Sequence, residues 1–422
     1  MTRWRSPAIL ALALVLTGLG GRFAVHMLQL ARKGNHQDFA ALYTAAYVYR
    51  SGYNFYDPQP NQEHFGSTEN PVLRETARRV GTLHIHDGLA HVHVFSYPPF
   101  TVLIFVPFTA LAFRPAAVLW QILSLGFFTA GFSCLWKSIP LSLTTGLTLT
   151  AVMLLFEPLE NSLGLGQISS LILALICIFL GALRSDRPAV AGLSLGLAIA
   201  LRLHPVLFLG YLLWRKKWRV LAWATGTALV CTFAAIPLVG WDATLTYATL
   251  VAPKYGRAWA LLGNHSLSGL LINCGSVLIP STSASLWRSL GFLLSLALLI
   301  GAFLAMGRPG RANQGRMVFE IAWLSTVLLL AVPNTTINHL VLLLIPLAVL
   351  LERVFGPAEE VGLLPWIAAA YLLIGAVDDY YMHPSLTRGP AVLATGIKTY
   401  GIMVLAGLGL RALRQPNQRV TF

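Results

Sequence analysis

Asp38 stands where a carboxylate could serve as a general base. It lies in Asn35-His36-Gln37-Asp38-Phe39-Ala40, directly after the first long apolar stretch, and opens an aromatic-rich run through Tyr43, Tyr47 and Tyr49 to Arg50 and Gly52. At a membrane surface, partial desolvation raises a carboxyl pKa toward the range a base needs. The position also suits a helix N-cap, a role aspartate favours, so the residues alone leave both open. The other acids invite less. Glu157 and Glu160 flank Pro158 at a helix end and suit a solvated turn. Glu320 falls inside an apolar run, where an acid is a functional candidate by default, although it sits near the end of that run. Asp378 and Asp379 close a helix at a surface, an ordinary place for charge.

Four of the eleven histidines crowd into His84-Ile85-His86-Asp87-Gly88-Leu89-Ala90-His91-Val92-His93. Two His-x-His pairs about an Asp-Gly turn predict a hairpin with all four on one face. Such a face could take a divalent metal, but no carboxylate spacing completes a site. A solvated hairpin accounts for the pattern, and neither a metal nor any other cofactor is expected. The isolated histidines are of more interest: His204 beside Arg202, His265 in Gly263-Asn264-His265-Ser266-Leu267, and His339 opening an apolar run. Each is expected at an outer helix end, where a cation or imidazole can meet a phosphate. A capping or interfacial histidine is the plainer alternative for each.

The elements that hold these residues follow from composition. Of 422 residues, 56% are hydrophobic and 11% charged, against about 25% charged in an ordinary soluble domain. The mean hydropathy of +0.67 excludes disorder, and the apolar residues come in runs long enough to cross a bilayer. The net charge of +14 then reads as cytoplasmic loops. Nucleic acid is not an expected partner, because no basic stretch carries stacking aromatics outside the apolar runs. Cys134, Cys177, Cys231 and Cys274 lie in or beside apolar segments without CxxC spacing, which argues against a disulfide framework or a zinc site. No Gly-x-x-x-x-Gly-Lys loop marks an ATP site. Residues 7–30 follow Arg3 and Arg5 but exceed a signal peptide's apolar core and show no A-x-A-like cleavage site, so they read as a retained first helix with a cytoplasmic N-terminus.

Further apolar runs lie near 97–113, 115–136, 140–157, 165–183, 188–214, 219–239, 285–306, 317–333, 337–355, 362–380 and 391–413. Between them stand four basic clusters: Arg184/Arg187, Arg215-Lys216-Lys217-Trp218-Arg219, Arg308/Arg311/Arg316 and Arg411/Arg414/Arg419. If every run crossed once, Arg184 and Arg187 would fall outside, against the positive-inside bias. Two adjustments restore it. The proline-interrupted run 97–113 lies along the outer interface, and 188–214 breaks at Arg202-Leu203-His204-Pro205, where an interior proline disfavours continuation. The result is one integral membrane domain over 1–422, all-α, with about twelve crossings and both termini cytoplasmic. An outer loop with interfacial helices spans 31–114, and a second, with a candidate re-entrant segment, spans 240–284. The polar segments then gather on the extracytoplasmic face, where loops on a rigid scaffold carry function.

In this order the segments resemble glycosyltransferase family 87, the polyprenol-phosphate-sugar-dependent membrane transferases. The matching pieces begin with Asp38, Tyr43, the Gly52-Tyr53-Asn54-Phe55-Tyr56 turn and Phe95-Ser96-Tyr97-Pro98-Pro99. They continue through Leu165-Gly166-Gln167-Ile168-Ser169, Ala191-Gly192-Leu193 to Arg202-Leu203-His204-Pro205, Gly263 to Leu267, and Val332-Pro333-Asn334 to Asn338-His339. There are departures. Arg202 replaces an expected lysine, His265 an expected glutamine, and Ile168-Ser169 an expected small residue and asparagine. The first keeps the charge, but guanidinium and ammonium bind phosphate differently.

The resemblance implies a GT-C architecture and transfer of mannose, or in some members arabinose, from a polyprenyl phosphate to an extracytoplasmic acceptor with inversion. It implies Asp38 as the base, Arg202 and His339 facing the donor phosphate, and Tyr97 and Gln167 lining the sugar pocket. His204, Asn264, His265 and Asn334 complete the expected substrate contacts. Inverting transfer from a phosphate needs one base and charge stabilisation at the leaving group, whereas a glycoside hydrolase wants paired carboxylates, and Asp38 has no obvious second. The expected partners are a polyprenyl-phosphate-linked sugar, a glycolipid or glycan acceptor, and the bilayer. Two other classes compete. A flippase for a lipid-linked sugar predicts paired half-sequences and midplane ionisable residues, which the sequence does not display. A scaffold subunit of an envelope-assembly complex does not account for polar segments converging on one face.

Overall fold

The apolar runs fold almost entirely as helices. The computed structural model describes residues 5–33, 36–57, 70–86, 89–139, 141–310, 312–375 and 383–414. The long helix α1 (Arg5–Lys33) is followed by α2 (Gln37–Arg50) and α3 (Pro71–Val80). Strands β1 (His84–His86) and β2 (Leu89–His91) pair antiparallel, His84 with His91 and His86 with Leu89. The Asp87-Gly88 turn lies outside the described residues, and His93 lies beyond β2. No cluster of three metal-ligating residues occurs among the described residues. The proline-rich run at 97–113 becomes two 3₁₀ turns flanking the single-turn α4 (Val102–Phe105).

The bundle continues with α5 (Phe113–Ser138), α6 (Leu143–Leu154) and α7 (Glu157–Leu165), then α8 (Ser169–Arg184) and α9 (Pro188–Leu201). Next come α10 (Leu207–Trp214), α11 (Trp218–Val239), α12 (Trp241–Thr246) and α13 (Ala252–Tyr255). The last third holds α14 (Leu267–Leu278), α15 (Ala284–Ala305), α16 (Gln314–Ala331), α17 (Leu344–Phe355), α18 (Leu364–Gly375) and α19 (Ile397–Arg414). Among the described residues, seven helices are long and apolar enough to cross a membrane, or eight if the α6–α7 pair, bent by 52°, is one span. Six shorter apolar helices of 10–17 residues accompany them among the described residues. The chain is an all-α polytopic membrane protein. A count of about twelve crossings requires four of the shorter helices, α8, α9, α10 and α18, to cross as well.

The break in 188–214 is a feature of the fold. A Cβ on Gly192 would meet the Val220 carbonyl at 2.8 Å and Trp223 Cβ at 2.2 Å, and one on Gly196 would meet the Ala224 carbonyl at 2.4 Å and Thr227 Cβ at 2.6 Å. Four residues along α9 thus correspond to about one turn along α11, so the two run parallel in small-residue contact. The intervening α10 must return to the end where α9 began. Arg202 carries the reversal in an extended conformation (φ −155°, ψ 128°). Arg187 and Lys217, N-caps of these parallel neighbours, accordingly share one end of the bundle. Arg215 reaches the Met306 and Arg308 carbonyls there. Arg311 and Arg419 lie outside the described residues.

Glu320 belongs to that basic end, not to a polar site. Its fully buried carboxylate takes Arg215 Nε and Arg316 Nε, each at 2.8 Å, and the Tyr211 hydroxyl at 3.1 Å. The expected solvated turn at Glu157 and Glu160 is ion-paired instead. Buried Lys398 meets Glu157 at 2.9 Å, and Arg22 meets Glu160 at 2.5 Å. Removing one partner of a buried pair costs about 3–5 kcal/mol because the other is left uncompensated. Glu320→Gln is therefore expected to lower the thermal midpoint in detergent while the activity of the folded fraction stays at wild type. An unchanged midpoint would contradict that structural role.

Candidate active site

The platform for Asp38 is α2, laid on the broken 97–113 segment. Its aromatic ridge donates Tyr43 Oη to the Leu111 carbonyl at 2.6 Å and Tyr47 Oη to the Thr109 carbonyl at 2.8 Å. Arg50 Nη1 reaches Thr109 Oγ1 at 2.7 Å. The buried Phe39 ring packs on Phe105, Phe108, Phe113 and Trp120 with centroids 5.8–6.4 Å apart. Asp38 does not cap this helix. The N-cap is His36, left-handed at φ 40° and without a side-chain cap bond. Asp38 sits in the first turn, half-buried, with its carboxyl available for other contacts.

The α7–α8 turn brings the next group in. Gly166 ends α7 at φ +73°, and a Cβ there would lie 2.6 Å from Phe39 Cβ. The position demands glycine both for its left-handed backbone and for the approach to the first turn of α2. Trp120 Nε1 holds the Gly166 carbonyl at 2.9 Å. Gln167, 6% exposed, then lies beside Asp38, whose ionised form its side chain favours. Its Oε1 accepts from Tyr97 Oη at 2.7 Å and from Arg202 Nη1 at 3.4 Å. Gly166→Ala combines left-handed strain with overpacking of about 1–3 kcal/mol. We expect a lower thermal midpoint and a loss of activity larger than the loss of folded protein, since the inserted methyl parts Gln167 from Asp38. Wild-type activity in that variant would show that the spacing is not critical.

Arg202, at the α9 break, also donates to Ser169 Oγ at 3.3 Å, and its guanidinium lies 5.5 Å from the Tyr97 ring centroid. A small, half-open pocket lies beside it, lined by Ser169, Arg202, His204, Asn338 and His339 with apolar neighbours. The His204 and His339 rings meet edge to face at 4.3 Å. His339 Nδ1 accepts the Thr336 backbone N–H at 3.0 Å within a capping box. That bond fixes the tautomer, so Nε2 carries the proton. Nε2 is buried and has no partner among the described residues, as is also true of Asn338 Oδ1.

Asn264, His265 and Asn334 act at one remove from the cavity. Asn334 Nδ2 donates to the Tyr255 and Arg257 carbonyls at 2.9 and 2.7 Å, and its Oδ1 accepts Trp259 N at 3.0 Å. Asn264 Nδ2 holds the Pro333 carbonyl at 3.0 Å, and its Oδ1 accepts Thr335 N at 3.0 Å. The two amides clamp the 255–266 loop onto the end of α16. The buried His265 backbone joins the clamp through the Thr335 carbonyl and Thr399 Oγ1. The loop also presents Tyr255, which lies near Ser96 and feels the charge of Asp38. Its residue type and spacing did not mark it. Ser169 and Asn338 stand out in the sequence only as parts of longer motifs. Asp378 and Asp379 lie outside the described residues.

The electrostatics suit proton transfer. Burial pushes the Asp38 carboxyl up to about 6, against the Gln167 hydrogen bond and the Arg202 charge, which favour the ionised form. Burial pushes the Tyr97 hydroxyl well above its usual range and Tyr255 up to about 12, so both remain protonated donors. Carboxylate, amide and cation are thus neighbours, and the two imidazoles line the pocket beside the cation.

A sequence model of glycosyltransferase family 87 matches residues 95–333. The polyprenol-phosphate-mannose-dependent alpha-(1-2)-phosphatidylinositol pentamannoside mannosyltransferase of Mycolicibacterium smegmatis is 25% identical over 217 residues, 47% of this chain and 51% of the relative. The corresponding phosphatidylinositol mannoside mannosyltransferase of Mycobacterium tuberculosis is 27% identical over 254 residues, 54% of this chain and 58% of the relative. The chain spans about half the length of the first curated relatives it matches. Among solved structures, ArnT from Cupriavidus metallidurans bound to undecaprenyl phosphate aligns with a TM-score of 0.43 and 14% identity, covering 93% of this chain and 77% of that one. With the family model covering more than half of its length, the chain belongs to glycosyltransferase family 87.

Proposed function

We propose that this protein is a GT-C membrane glycosyltransferase that moves mannose from a polyprenyl phosphate to an acceptor hydroxyl with inversion. The acceptor oxygen attacks C1 from the face opposite the phosphate and gives its proton to Asp38. The C1–O bond to phosphate breaks, and its electron pair leaves with the polyprenyl phosphate. The donor phosphate carries one negative charge and the departing monophosphate gains a second. Groups that meet this growing charge lower the barrier, because they bind the transition state more tightly than the substrate. Arg202 supplies a fixed cation and His339 Nε2–H a preset donor, with His204 beside them. No acid is needed for such a leaving group.

The observation that carries the reading is Asp38 under the influence of the hydrogen-bonded pair Gln167–Arg202, next to a pocket lined by Arg202, His204 and His339. Mannose as the sugar is supported by the printed names of the relatives. The basic clusters sharing the opposite end of the bundle support cytoplasmic termini and an extracytoplasmic site, by the positive-inside bias. The acceptor is a glycolipid or glycan, and no metal takes part in the proposed step. The test is purified protein with radiolabelled polyprenyl-phosphate mannose and an envelope lipid and glycan extract. Label is expected in an acceptor with the anomeric configuration inverted. Absence of transfer from any polyprenyl-phosphate sugar would overturn the reading.

A further inference from the structure

Gln167 has its polar atoms committed before any sugar arrives. Its carbonyl oxygen has two lone pairs, and these receive Tyr97 Oη at 2.7 Å and Arg202 Nη1 at 3.4 Å. A carboxylate only accepts, so it is the amide NH₂ that favours the ionised form of Asp38. The reversed amide would set its oxygen against the carboxylate and its NH₂ against the guanidinium, two repulsions in place of two attractions. The backbone is equally fixed. Gly166 turns left-handed against Phe39, and Gln167 N bonds the Ser162 carbonyl at 3.0 Å. With the side chain almost wholly buried, a single amide hydrogen is left for a ligand.

We propose that Gln167 is a positioning residue that acts through Asp38: its NH₂ aims the carboxylate, while Tyr97 and Arg202 lock its carbonyl so that base and donor cation move as one unit. This replaces the sugar-lining role that the family resemblance implied, and it rests on Asp38 being the base. The charges around Asp38 leave the amide as its direct neutral support. Arg202 faces it from the α9 break, the hydroxyls of Tyr97 and Tyr255 from the outer loops. His36 precedes it on its own segment, and Arg114 of α5 acts on that histidine. On α7, Glu157 and Glu160 are held by Lys398 and Arg22. The segment that follows α3 meets the middle of α2, where Thr44 bonds Thr82.

The experiment is steady-state transfer by the full chain from polyprenyl-phosphate mannose, with pH profiles, for wild type, Asp38→Asn, Gln167→Met and Tyr97→Phe. A misaimed base loses up to about a hundredfold in turnover, so Gln167→Met should lose kcat with the donor KM unchanged. Its low-pH limb should move to higher pH, because the lost N–H favoured the ionised carboxyl. Tyr97→Phe should shift the limb the same way by less, since the amide stays but is free to turn. It keeps the test alive if Gln167→Met does not fold. A raised donor KM with the limb unmoved, or no change at all, overturns the proposal in favour of a pocket-lining glutamine. If Asp38→Asn retains wild-type transfer, the base assignment itself fails. If Asp38→Asn is inactive and Gln167→Met keeps the wild-type limb, this inference alone is lost.

Discussion

Asp38→Asn is expected to reduce transfer by about 10²–10⁴-fold, the usual contribution of a positioned base, while donor affinity stays at the wild-type value. Asparagine keeps the shape and the contact with Gln167 but cannot take the acceptor's proton. The wild-type rate should rise with pH through about 6 and then level off, because burial holds the Asp38 carboxyl near that value and only the ionised form accepts a proton. The limb should be absent from the residual activity of the variant. Stability moves the other way. A carboxyl whose folded pKa is raised favours folding at low pH, and that advantage disappears as pH rises through about 6. At neutral pH the ionised group is a liability, so Asp38→Asn should melt no lower than wild type. Retained activity together with an unaltered pH limb would remove Asp38 from the mechanism.

The parts of this molecule legible in its sequence are those written by local rules. Prolines and positive charge marked the reversal at Arg202–Pro205, because proline geometry and charge sidedness act within a few residues. The run from Asp38 to Arg50 is legible as an aromatic-rich segment for the same reason. What stayed hidden depends on partners distant along the chain. Glu157 looked solvated because its cation, Lys398, comes 241 residues later. Glu320 looked like a candidate for function because the Arg215 that neutralises it lies on another helix. Asn264 and Asn334 looked like ligand contacts, since an asparagine that clamps backbone and one that binds a sugar are the same residue. Only the carbonyls in reach distinguish the two, and those belong to a loop without regular structure. The resemblance to family 87 brought Asp38, Gln167 and Arg202 forward together. That Gln167 stands between the other two emerged only with the left-handed turn at Gly166 packed against Phe39.

Arg202→Met should cost as much as losing a main charge-stabilising group, about 10²–10³-fold in kcat, and should alter the base as well. The guanidinium favours ionised Asp38, so its removal moves the low-pH limb upward, the direction also expected of Gln167→Met. The two variants part at the donor. Arg202→Met should raise the donor KM because a cation facing the ground-state phosphate is gone, whereas Gln167→Met should not. Arg202→Lys separates charge from shape. The ammonium keeps the charge at the leaving group but lacks the planar fork that lets Arg202 reach both Gln167 Oε1 and Ser169 Oγ. A smaller loss is therefore expected, with the limb near its wild-type place because the charge beside Asp38 persists. Steady-state kinetics in both substrates across pH distinguish these outcomes. If Arg202→Met keeps wild-type kcat and donor KM, the phosphate is met elsewhere, and the cavity shared with His204 and His339 loses its claim to the donor. If Arg202→Lys is as impaired as Arg202→Met, the fork's geometry matters more than its charge, and Ser169 and Gln167 become part of the phosphate site through the arginine they orient.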